Sequence, residues 1–247
     1  MQAERGGVAD TASVPPMLGL PDHIRACLFD LDGVITKTAT LHAAAWKQMF
    51  DEFLRQRDGA GFAPFTSHDY DAYVDGKPRA AGTRDFLASR NIAVDEAQLT
   101  GLSDRKNALV LSQIAQGKVE VFDTSVRYLH AVRAAGWGTA VVSSSANCQQ
   151  VLASVGIEDL FEVRVDGVVA KTEDLAGKPE PATFLAAAAK LGVPHQECAV
   201  FEDALAGVAA GRAGGFGHVV GVDRVGQAQQ LRAAGADTVV QDLGELL

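Results

Sequence analysis

The sequence predicts an α/β protein in which a doubly wound parallel sheet is interrupted by an inserted α-helical block. Three observations predict it. An apolar run at 24–31 ends in an acidic turn, helical spacing without a strand fills about 38–117, and strands and helices alternate from about 139 onward. Alternation of this kind builds parallel sheets that carry helices on both faces.

The inserted block is identified by the spacing of its apolar residues. Between about 40 and 54 they recur every three or four positions, as on one face of a helix, and similar stretches follow near 79–90 and 95–115. Hinges to the rest of the chain are expected near 36–39 and 116–118. The apolar stripe of the first helix consists of Leu41, Ala45, Trp46, Met49, Phe50, Phe53 and Leu54.

The remaining elements form a Rossmann-like core. Gly6-Gly7 and Pro15-Pro16 indicate that the chain begins with a loose segment. The expected division is a flexible N-terminal tail at 1–21, a core at 22–37 with 118–247, and a helical cap domain at 38–117. After the first strand, the core is expected to contain strands near 139–143, 162–166, 198–202, 218–222 and 237–240, and helices from about 147, from Pro181 to Leu191 and from Ala204.

Composition excludes several function classes. The 247 residues carry a formal net charge of −9, whereas a surface for nucleic acid or anionic membrane needs clustered Lys and Arg. The apolar runs are far shorter than the roughly 20 residues that span a bilayer, and residues 1–21 lack the pattern of a secretion signal. Cys27, Cys148 and Cys198 offer neither metal-ligand spacing nor a disulfide framework. We expect a cytoplasmic protein, a monomer or weak dimer, that binds neither nucleic acid nor membrane.

The segment Phe29-Asp30-Leu31-Asp32-Gly33 is the most informative part of the chain. It places two carboxylates two residues apart at the end of an apolar strand, and Gly33 gives the backbone the freedom for a tight turn. Open parallel sheets bind ligands at this end of their strands. One carboxylate can take up a phosphoryl group there while the other transfers a proton. Taken alone, the pattern also fits an ordinary acidic turn.

Three later segments place polar groups at the same edge of the predicted sheet. Ser143-Ser144-Ser145-Ala146-Asn147 follows a strand, and its hydroxyl and N–H groups suit either a phosphate or a helix N-cap. Lys178 precedes a helix, where it either neutralises a phosphate and a carboxylate or is a loop charge. Glu202-Asp203 ends another strand, and the pair suits either Mg²⁺ or a helix cap.

These segments resemble the four motifs of the haloacid dehalogenase superfamily over most of residues 22–225. The resemblance implies that Asp30 is a phosphoaspartate nucleophile and that Asp32 is the general acid/base. Such chemistry needs little beyond in-line positioning and neutralisation of charge. The resemblance also implies a phosphate site that includes Gly33, Ser143, Ser144 and Lys178, and a Mg²⁺ site made of Asp30, Glu202, Asp203 and the backbone carbonyl of Asp32.

The predicted cap resembles that of the β-phosphoglucomutases. In that resemblance Arg79 grips the phosphate that is not being transferred, with help from Ser145 and Asn147, since a guanidinium fork fits a dianion. His42 is implied to hydrogen-bond Asp32 or its loop when the cap closes, with an exposed histidine on the helix surface as the alternative. The matching residues are Thr38, His42, Trp46, Lys47 and the segment Asp75-Gly76-Lys77-Pro78-Arg79.

Three positions of this cap carry alternatives or departures. Trp46 is a substrate contact or part of the cap's own core. Lys37 stands where many mutases have aspartate, which reverses a charge at a hinge. Ala146 stands where some carry a lysine beside the second phosphate, a contact that Lys77 is a candidate to replace.

The resemblance implies a Mg²⁺-dependent mutase acting on a small sugar phosphate. It would interconvert β-D-glucose 1-phosphate and D-glucose 6-phosphate through a phosphoaspartate and β-glucose 1,6-bisphosphate. The alternative is a phosphatase of sugar or nucleotide monophosphates, because the core motifs are common to both and the difference is how well a closed cap excludes water. A dehalogenase or an idle sensor is disfavoured because all the motif acids are present, and a phosphonate hydrolase because Lys47 is explained as a surface charge.

Overall fold

A parallel six-stranded sheet forms the centre of the computed structural model, which describes residues 18–247. Its strand order is β3-β2-β1-β4-β5-β6. The doubly wound parallel sheet predicted from the sequence is confirmed, with strand bounds that differ by no more than two residues. The strands are β1 (Ala26–Phe29), β2 (Gly138–Val142), β3 (Val163–Val165), β4 (Cys198–Glu202), β5 (His218–Val222) and β6 (Thr238–Val240).

Helices cover the sheet and fill the interval between β1 and β2. Short 3₁₀ segments occur at Gly59–Gly61, Glu158–Leu160, His195–Glu197 and Leu243–Leu246, and a π-helical turn covers Tyr70–Val74. The α-helices of residues 18–247 are α1 (Ala39–Asp58), α2 (Ser67–Asp69), α3 (Arg79–Ser89), α4 (Glu96–Ala115), α5 (Asp123–Ala134), α6 (Cys148–Val155), α7 (Gly167–Thr172), α8 (Ala182–Leu191), α9 (Leu205–Ala213) and α10 (Ala228–Ala234).

Strand β1 shows how both faces of the sheet are covered. Cys27 and Phe29 face a cluster that includes residues of α5 and α6, whereas Ala26 and Leu28 face a cluster that includes α8 and α9. All four side chains are buried, which is why the strand reads as a continuous apolar run instead of alternating. Burying a side chain such as Phe29 or Leu28 contributes about 1.5–3 kcal/mol.

Helices α1 to α4 form a layer with a hydrophobic cluster of its own, here called the helical layer. Phe50 of α1 lies at its centre, with its ring centroid 4.2 Å from that of Phe86 in α3. The chain enters the layer near Lys37 and leaves it near Glu120, and these two segments lie side by side. The Lys37 N–H donates to the Glu120 carbonyl at 2.8 Å, and the Lys37 ammonium lies 3.0 Å from the Glu120 carboxylate. Glu120 therefore accounts for a lysine at this hinge.

The fold differs from the sequence analysis in its helices and at its N-terminal side. Helices α5, α7 and α10 were not predicted, although the buried residues of α5, which are Ser125, Tyr128, Leu129 and Val132, have helical spacing. Most of the expected tail lies outside the described residues, but Leu18 is only 3% exposed and its carbonyl accepts a hydrogen bond of 2.7 Å from the Tyr128 hydroxyl. The core therefore includes residues before Asp22. Within residues 18–247 no helix has the length and apolar character needed to cross a membrane.

Candidate active site

The candidate site lies at the carboxyl edge of the three central strands. In the sheet register Phe29 of β1 pairs with Val141 of β2 on one side and Phe201 of β4 on the other. The next residues along, Asp30 and Glu202, therefore emerge side by side. A cavity of about 580 Å³ opens above them and is bounded on its opposite side by the helical layer. The carboxyl edge of a parallel sheet is the expected place for a ligand.

Lys178 is the buried centre of the core face of this site. Its ammonium donates to Asp30 Oδ1 at 2.6 Å, to Glu202 Oε1 at 2.5 Å and to the Val142 carbonyl at 3.0 Å. Burial alone would lower the pKa of Lys178, but the two carboxylates outweigh it and raise that pKa above its usual value. The lysine therefore keeps its charge and holds two acids in fixed positions.

Three carboxylates converge next to this lysine. Oxygen atoms of Asp30, Glu202 and Asp203 lie within 4.8 Å of one another. Burial and the neighbouring carboxylates raise the pKa of both Asp30 and Asp203 well above the usual range, against the opposing effect of Lys178 on Asp30. An all-oxygen set with this much negative charge fits a divalent cation of the hard type. Such an ion would offset the repulsion among the acids.

Glycines permit this close approach. A Cβ at Gly33 would lie 1.8 Å from Oδ2 of Asp203, and a Cβ at Gly207 would lie 1.8 Å from Oε1 of Glu202. Gly33 also has a φ of +89°, which other residues rarely adopt. Any side chain at either position would push a carboxylate out of the cluster.

Asp32 faces the helical layer. Its carboxylate accepts a hydrogen bond from the Thr38 hydroxyl, and its Oδ1 lies 3.3 Å from Nε2 of His42. Burial acts to raise the pKa of Asp32, but the charge and hydrogen bond of His42, the Thr38 bond and the charge of Lys106 lower it to about 2. Asp32 is therefore ionised at neutral pH. His42 is 9% exposed, so the alternative of an exposed surface histidine is wrong.

Lys106 belongs to this cluster and was missed in the sequence. Its Nζ lies 2.7 Å from Nδ1 of His42 and 4.8 Å from the centroid of the Trp46 ring. With the ammonium donating to Nδ1, a neutral His42 carries its own proton on Nε2, toward Asp32. Burial lowers the pKa of Lys106 to about 7. The available signal was its helical phase, because the buried residues of α4 are Leu99, Ser103, Lys106 and Val110.

Arg79 lines the cavity from the first turn of α3. Burial lowers its pKa below the usual value, with Asp104 acting in the opposite direction. Among residues 18–247 its guanidinium forms no salt bridge, whereas Arg84, on the same helix, pairs with Glu96 at 3.2 Å. A half-buried guanidinium without a carboxylate partner suits an anion that enters the cavity.

The serine-rich loop after β2 reaches both faces of the cavity. The Ser143 hydroxyl accepts from the Ser145 N–H at 3.1 Å, and the Ser145 hydroxyl accepts from the Asn147 N–H at 3.1 Å. The Asn147 amide donates to Asn107 of α4 at 2.8 Å, a second residue that the sequence did not reveal. The loop therefore contacts the helical layer as well as the core.

Segment 75–79 packs directly on the core loops. The Ser144 hydroxyl donates to the Gly76 carbonyl at 2.8 Å. A Cβ at Gly76 would lie 2.8 Å from the Cβ of Ala204, and a Cβ at Gly177 would lie 2.2 Å from the Cγ of Pro78. The helical layer is therefore closed onto the core along this side of the cavity.

Three residues of the helical layer are not placed as free contacts for a substrate. The Lys77 ammonium is neutralised by Asp85 at 2.7 Å, so although it lines the cavity it is not a free cation opposite Ala146. Trp46 is buried and stacks on Phe50, with part of its surface toward the cavity. Lys47 does not line the cavity. Its ammonium donates to Asp51 at 2.7 Å and to the Phe65 carbonyl at 2.9 Å.

Comparisons of the sequence and of the structure with known proteins lead to the same family. Residues 24–215 match the model of the haloacid dehalogenase-like hydrolase family. The chain is 53% identical over 247 residues to a β-phosphoglucomutase of Mycobacterium tuberculosis, covering 94% of each chain. It is 32% identical to a β-phosphoglucomutase of Bacillus subtilis, covering 90% of this chain and 92% of the relative. A crystal structure of β-phosphoglucomutase from Clostridium difficile superposes with a TM-score of 0.77 at 27% identity, covering 91% of this chain and 93% of that one.

Proposed function

The chain belongs to the haloacid dehalogenase-like hydrolases and, within them, to the β-phosphoglucomutase family, and on this basis we propose the reaction that it catalyses. It interconverts β-D-glucose 1-phosphate and D-glucose 6-phosphate through a phosphoaspartate enzyme and β-glucose 1,6-bisphosphate. The observation that carries the proposal is the placement of positive charge around one cavity. Lys178, bonded to Asp30, lies at one side, and Arg79, which has no salt-bridge partner among residues 18–247, lies at the other, and this supports one phosphate site on each side.

Asp30 is the nucleophile of this proposal. Its Oδ1 is engaged by Lys178, which leaves Oδ2 to attack phosphorus. The bond between phosphorus and the sugar oxygen breaks as the bond from phosphorus to Asp30 forms, and the buried ammonium of Lys178 neutralises charge on the phosphoryl oxygens. Ser143, which is also buried beside Asp30, supplies a hydroxyl to the same oxygens.

Asp32 moves the proton in each half-reaction. As an ionised carboxylate with a pKa lowered to about 2, it accepts the proton of the attacking sugar hydroxyl while the P–O bond to Asp30 breaks. In the opposite direction it returns that proton to the departing sugar oxygen. Thr38 and His42 orient the carboxylate, and Lys106 holds His42 from the far side, so these three connect proton transfer to closure of the helical layer.

We propose Mg²⁺ as the divalent ion, held by Asp30, Glu202, Asp203 and the carbonyl of Asp32. The convergence of three carboxylates and the preference of Mg²⁺ for oxygen ligands support this set. When bound, the ion supplies positive charge to the transferring phosphoryl group. Removal of the ion with a chelator should therefore stop turnover.

Residues 38–117 act as the cap in this proposal. The bisphosphate has to be held in two opposite orientations, so Arg79 with Ser145 and Asn147 receives each of its phosphates in turn. The closed packing of segment 75–79 on the core favours attack by a sugar hydroxyl over attack by water, because water is excluded while the phosphoaspartate is present. We further propose that the enzyme works in the cytoplasm as a monomer or weak dimer.

A coupled assay tests the reaction. Glucose 6-phosphate formed from β-glucose 1-phosphate is measured with Mg²⁺ and a trace of glucose 1,6-bisphosphate, and free phosphate is measured in the same sample. The proposal predicts rapid formation of glucose 6-phosphate with little phosphate. Release of phosphate without isomerisation would contradict it and would favour a phosphatase.

A further inference from the structure

The loop that follows β5 holds two loops of the active site at once. This loop, residues 223–227 and here called the β5 loop, contains none of the motif residues identified above. Its own shape is fixed by Asp223, whose Oδ1 accepts hydrogen bonds of 2.7 Å from the N–H groups of both Gly226 and Gln227. Two side chains of this loop extend toward the site.

Arg224 binds the turn that carries Asp32. Its Nε donates to the Gly33 carbonyl at 2.8 Å, and its Nη2 lies 3.4 Å from the Val34 carbonyl. Its Nη1 donates to the Gln241 carbonyl at 2.8 Å. The guanidinium carbon lies over the ring of Phe122, the residue before α5, 3.6 Å from the ring centroid. One side chain therefore connects the turn that carries Asp32, the residue that follows β6 and the start of α5.

Gln227 binds the loop that carries the acidic pair. Its side-chain amide donates to the backbone carbonyl of Asp203 at 2.9 Å. The two groups held by the β5 loop also touch each other, because the Asp203 carboxylate occupies the space where a Cβ of Gly33 would be. The charge of Asp203 also acts on Arg224, helping to counter the burial that lowers the pKa of this arginine.

We propose that Arg224 and Gln227 are positioning residues for phosphoryl transfer, which fix the Asp32 turn and Asp203 relative to each other. Neither residue touches the cavity, so both act through the groups that they hold. The proposal rests on the proposed function, because it assigns them to the spacing between the acid/base and a ligand of the divalent ion. Mutation of residues that hold metal ligands in place typically lowers metal affinity or activity by about 10–100-fold.

Arginine is required by this geometry. The guanidinium presents donors in a fixed planar fork, and here three of its nitrogens reach three different carbonyl groups while its face covers an aromatic ring. A lysine ammonium of the same charge is a single point and cannot span these acceptors. Arg224→Lys is therefore a conservative variant that preserves the charge but removes the hydrogen bonds to these carbonyl groups.

The test measures Mg²⁺ binding by calorimetry in the absence of substrate, together with kcat and KM for β-glucose 1-phosphate. For Arg224→Lys and Gln227→Leu we expect about 10–100-fold weaker Mg²⁺ binding or lower kcat, with KM for the sugar phosphate almost unchanged. The matched control is Arg212→Met, since Arg212 is 66% exposed and lies 3.5 Å from its partner Asp237. It should behave as the wild type in both measurements.

The outcomes separate the possible failures. Wild-type Mg²⁺ affinity and kcat in both folded variants would overturn the proposal, as would a rise in KM alone. If Arg224→Lys does not fold, the half-buried Gln227→Leu decides by the same criteria. Mg²⁺ binding is measured without sugar phosphate. It therefore reports on the positioning role of Arg224 and Gln227 even if the wild-type enzyme proves to be a phosphatase.

Discussion

The two faces of the active-site cavity are built from different kinds of structure. On the core face Asp30 and Glu202 lie at strand ends, where the register of the sheet sets their spacing, and Lys178, from the loop before α8, bonds to both. On the helical face Arg79 and Lys106 lie on helices, where their positions depend on helical phase and on packing between helices. The comparison teaches that a carboxylate after a strand can be located from sequence, whereas a charge inside a helix acquires its meaning only when the helices pack.

The two faces also differ in how their charges are balanced. The buried cation of the core face already has two carboxylate partners within 2.6 Å. On the helical face Arg79 has no salt-bridge partner among the described residues, and the Lys106 ammonium lies 2.7 Å from Nδ1 of His42. The core face is assembled before substrate arrives, whereas the helical face still has charge to offer an incoming phosphate.

The largest effect is expected on the core face, from Asp30→Asn. Because the amide cannot form the acyl phosphate, the variant should lose both isomerisation and phosphate release, by at least about 10⁴-fold, the scale on which removal of a covalent nucleophile acts. Steady-state assays of both products measure it. Asp159→Asn, an exposed aspartate of the core, is the control and should remain active. Isomerisation by the Asp30→Asn enzyme would show that another group carries the phosphoryl.

The second largest effect is expected on the helical face, from Arg79→Ala, and it should differ between two reactions. Loss of charge-assisted bonds to a dianion should lower kcat/KM for the mutase reaction by about 100-fold. Hydrolysis of a small aryl phosphate, which has no second phosphate, should change little. Arg84→Ala provides a control on the same helix and the same cavity. Equal losses in the two reactions would contradict the assignment of Arg79 to the second phosphate site.

A smaller effect is expected from Lys106→Met. This lysine acts on Asp32 through His42, so kcat should fall about tenfold, less than the roughly 10²–10⁴-fold contributed by an acid–base group itself. Comparison of kcat for the variant with that of Lys47→Met, an exposed lysine of the same layer, measures it. An unchanged kcat would reduce Lys106 to a packing role.

The smallest effect is a difference in stability with pH. The pKa of Lys106 is lowered by burial to about 7 from an ordinary value of 10.5, so between these values the unfolded chain binds more protons than the folded one. The free energy of unfolding of the wild type should therefore rise with pH relative to Lys106→Met, by at most about 1.4 kcal/mol per pH unit, with no relative change below pH 7.

Urea unfolding at pH 6, 7, 8 and 9 checks this slope. Burial and nearby carboxylates raise the pKa of Asp75 to about 7, but this group is present in both proteins and its effect cancels in the difference. Parallel stability profiles across the range would show that Lys106 keeps an ordinary pKa.

The limits of the sequence analysis follow the same division between the faces. Asp30, Ser143 and Glu202 were identified because strand ends are visible as apolar runs that stop at polar residues. Lys106 was missed because a lysine within an apolar helical phase is read as a surface charge until the opposing helix is known. Arg224 was missed for another reason, since its partners are backbone carbonyls, which no sequence pattern identifies.

The ion-pair partners of charged residues also could not be predicted from the sequence. Lys37 was recognised as a reversal of charge, but its partner Glu120 is 83 residues away along the chain. Lys77 was expected to replace a contact missing at Ala146, yet Asp85 neutralises it. Both outcomes depend on which side chains the fold brings together, and neither follows from local propensity.

The fate of the phosphoryl group on Asp30 tests the central claim most directly. Enzyme phosphorylated with radiolabelled glucose 1,6-bisphosphate is isolated, the label is located on the peptide that contains Asp30, and the enzyme is then chased with β-glucose 1-phosphate. We expect most of the label to pass to the sugar as bisphosphate and then as glucose 6-phosphate, with little free phosphate. Transfer of the label chiefly to water in the presence of saturating sugar phosphate would contradict it.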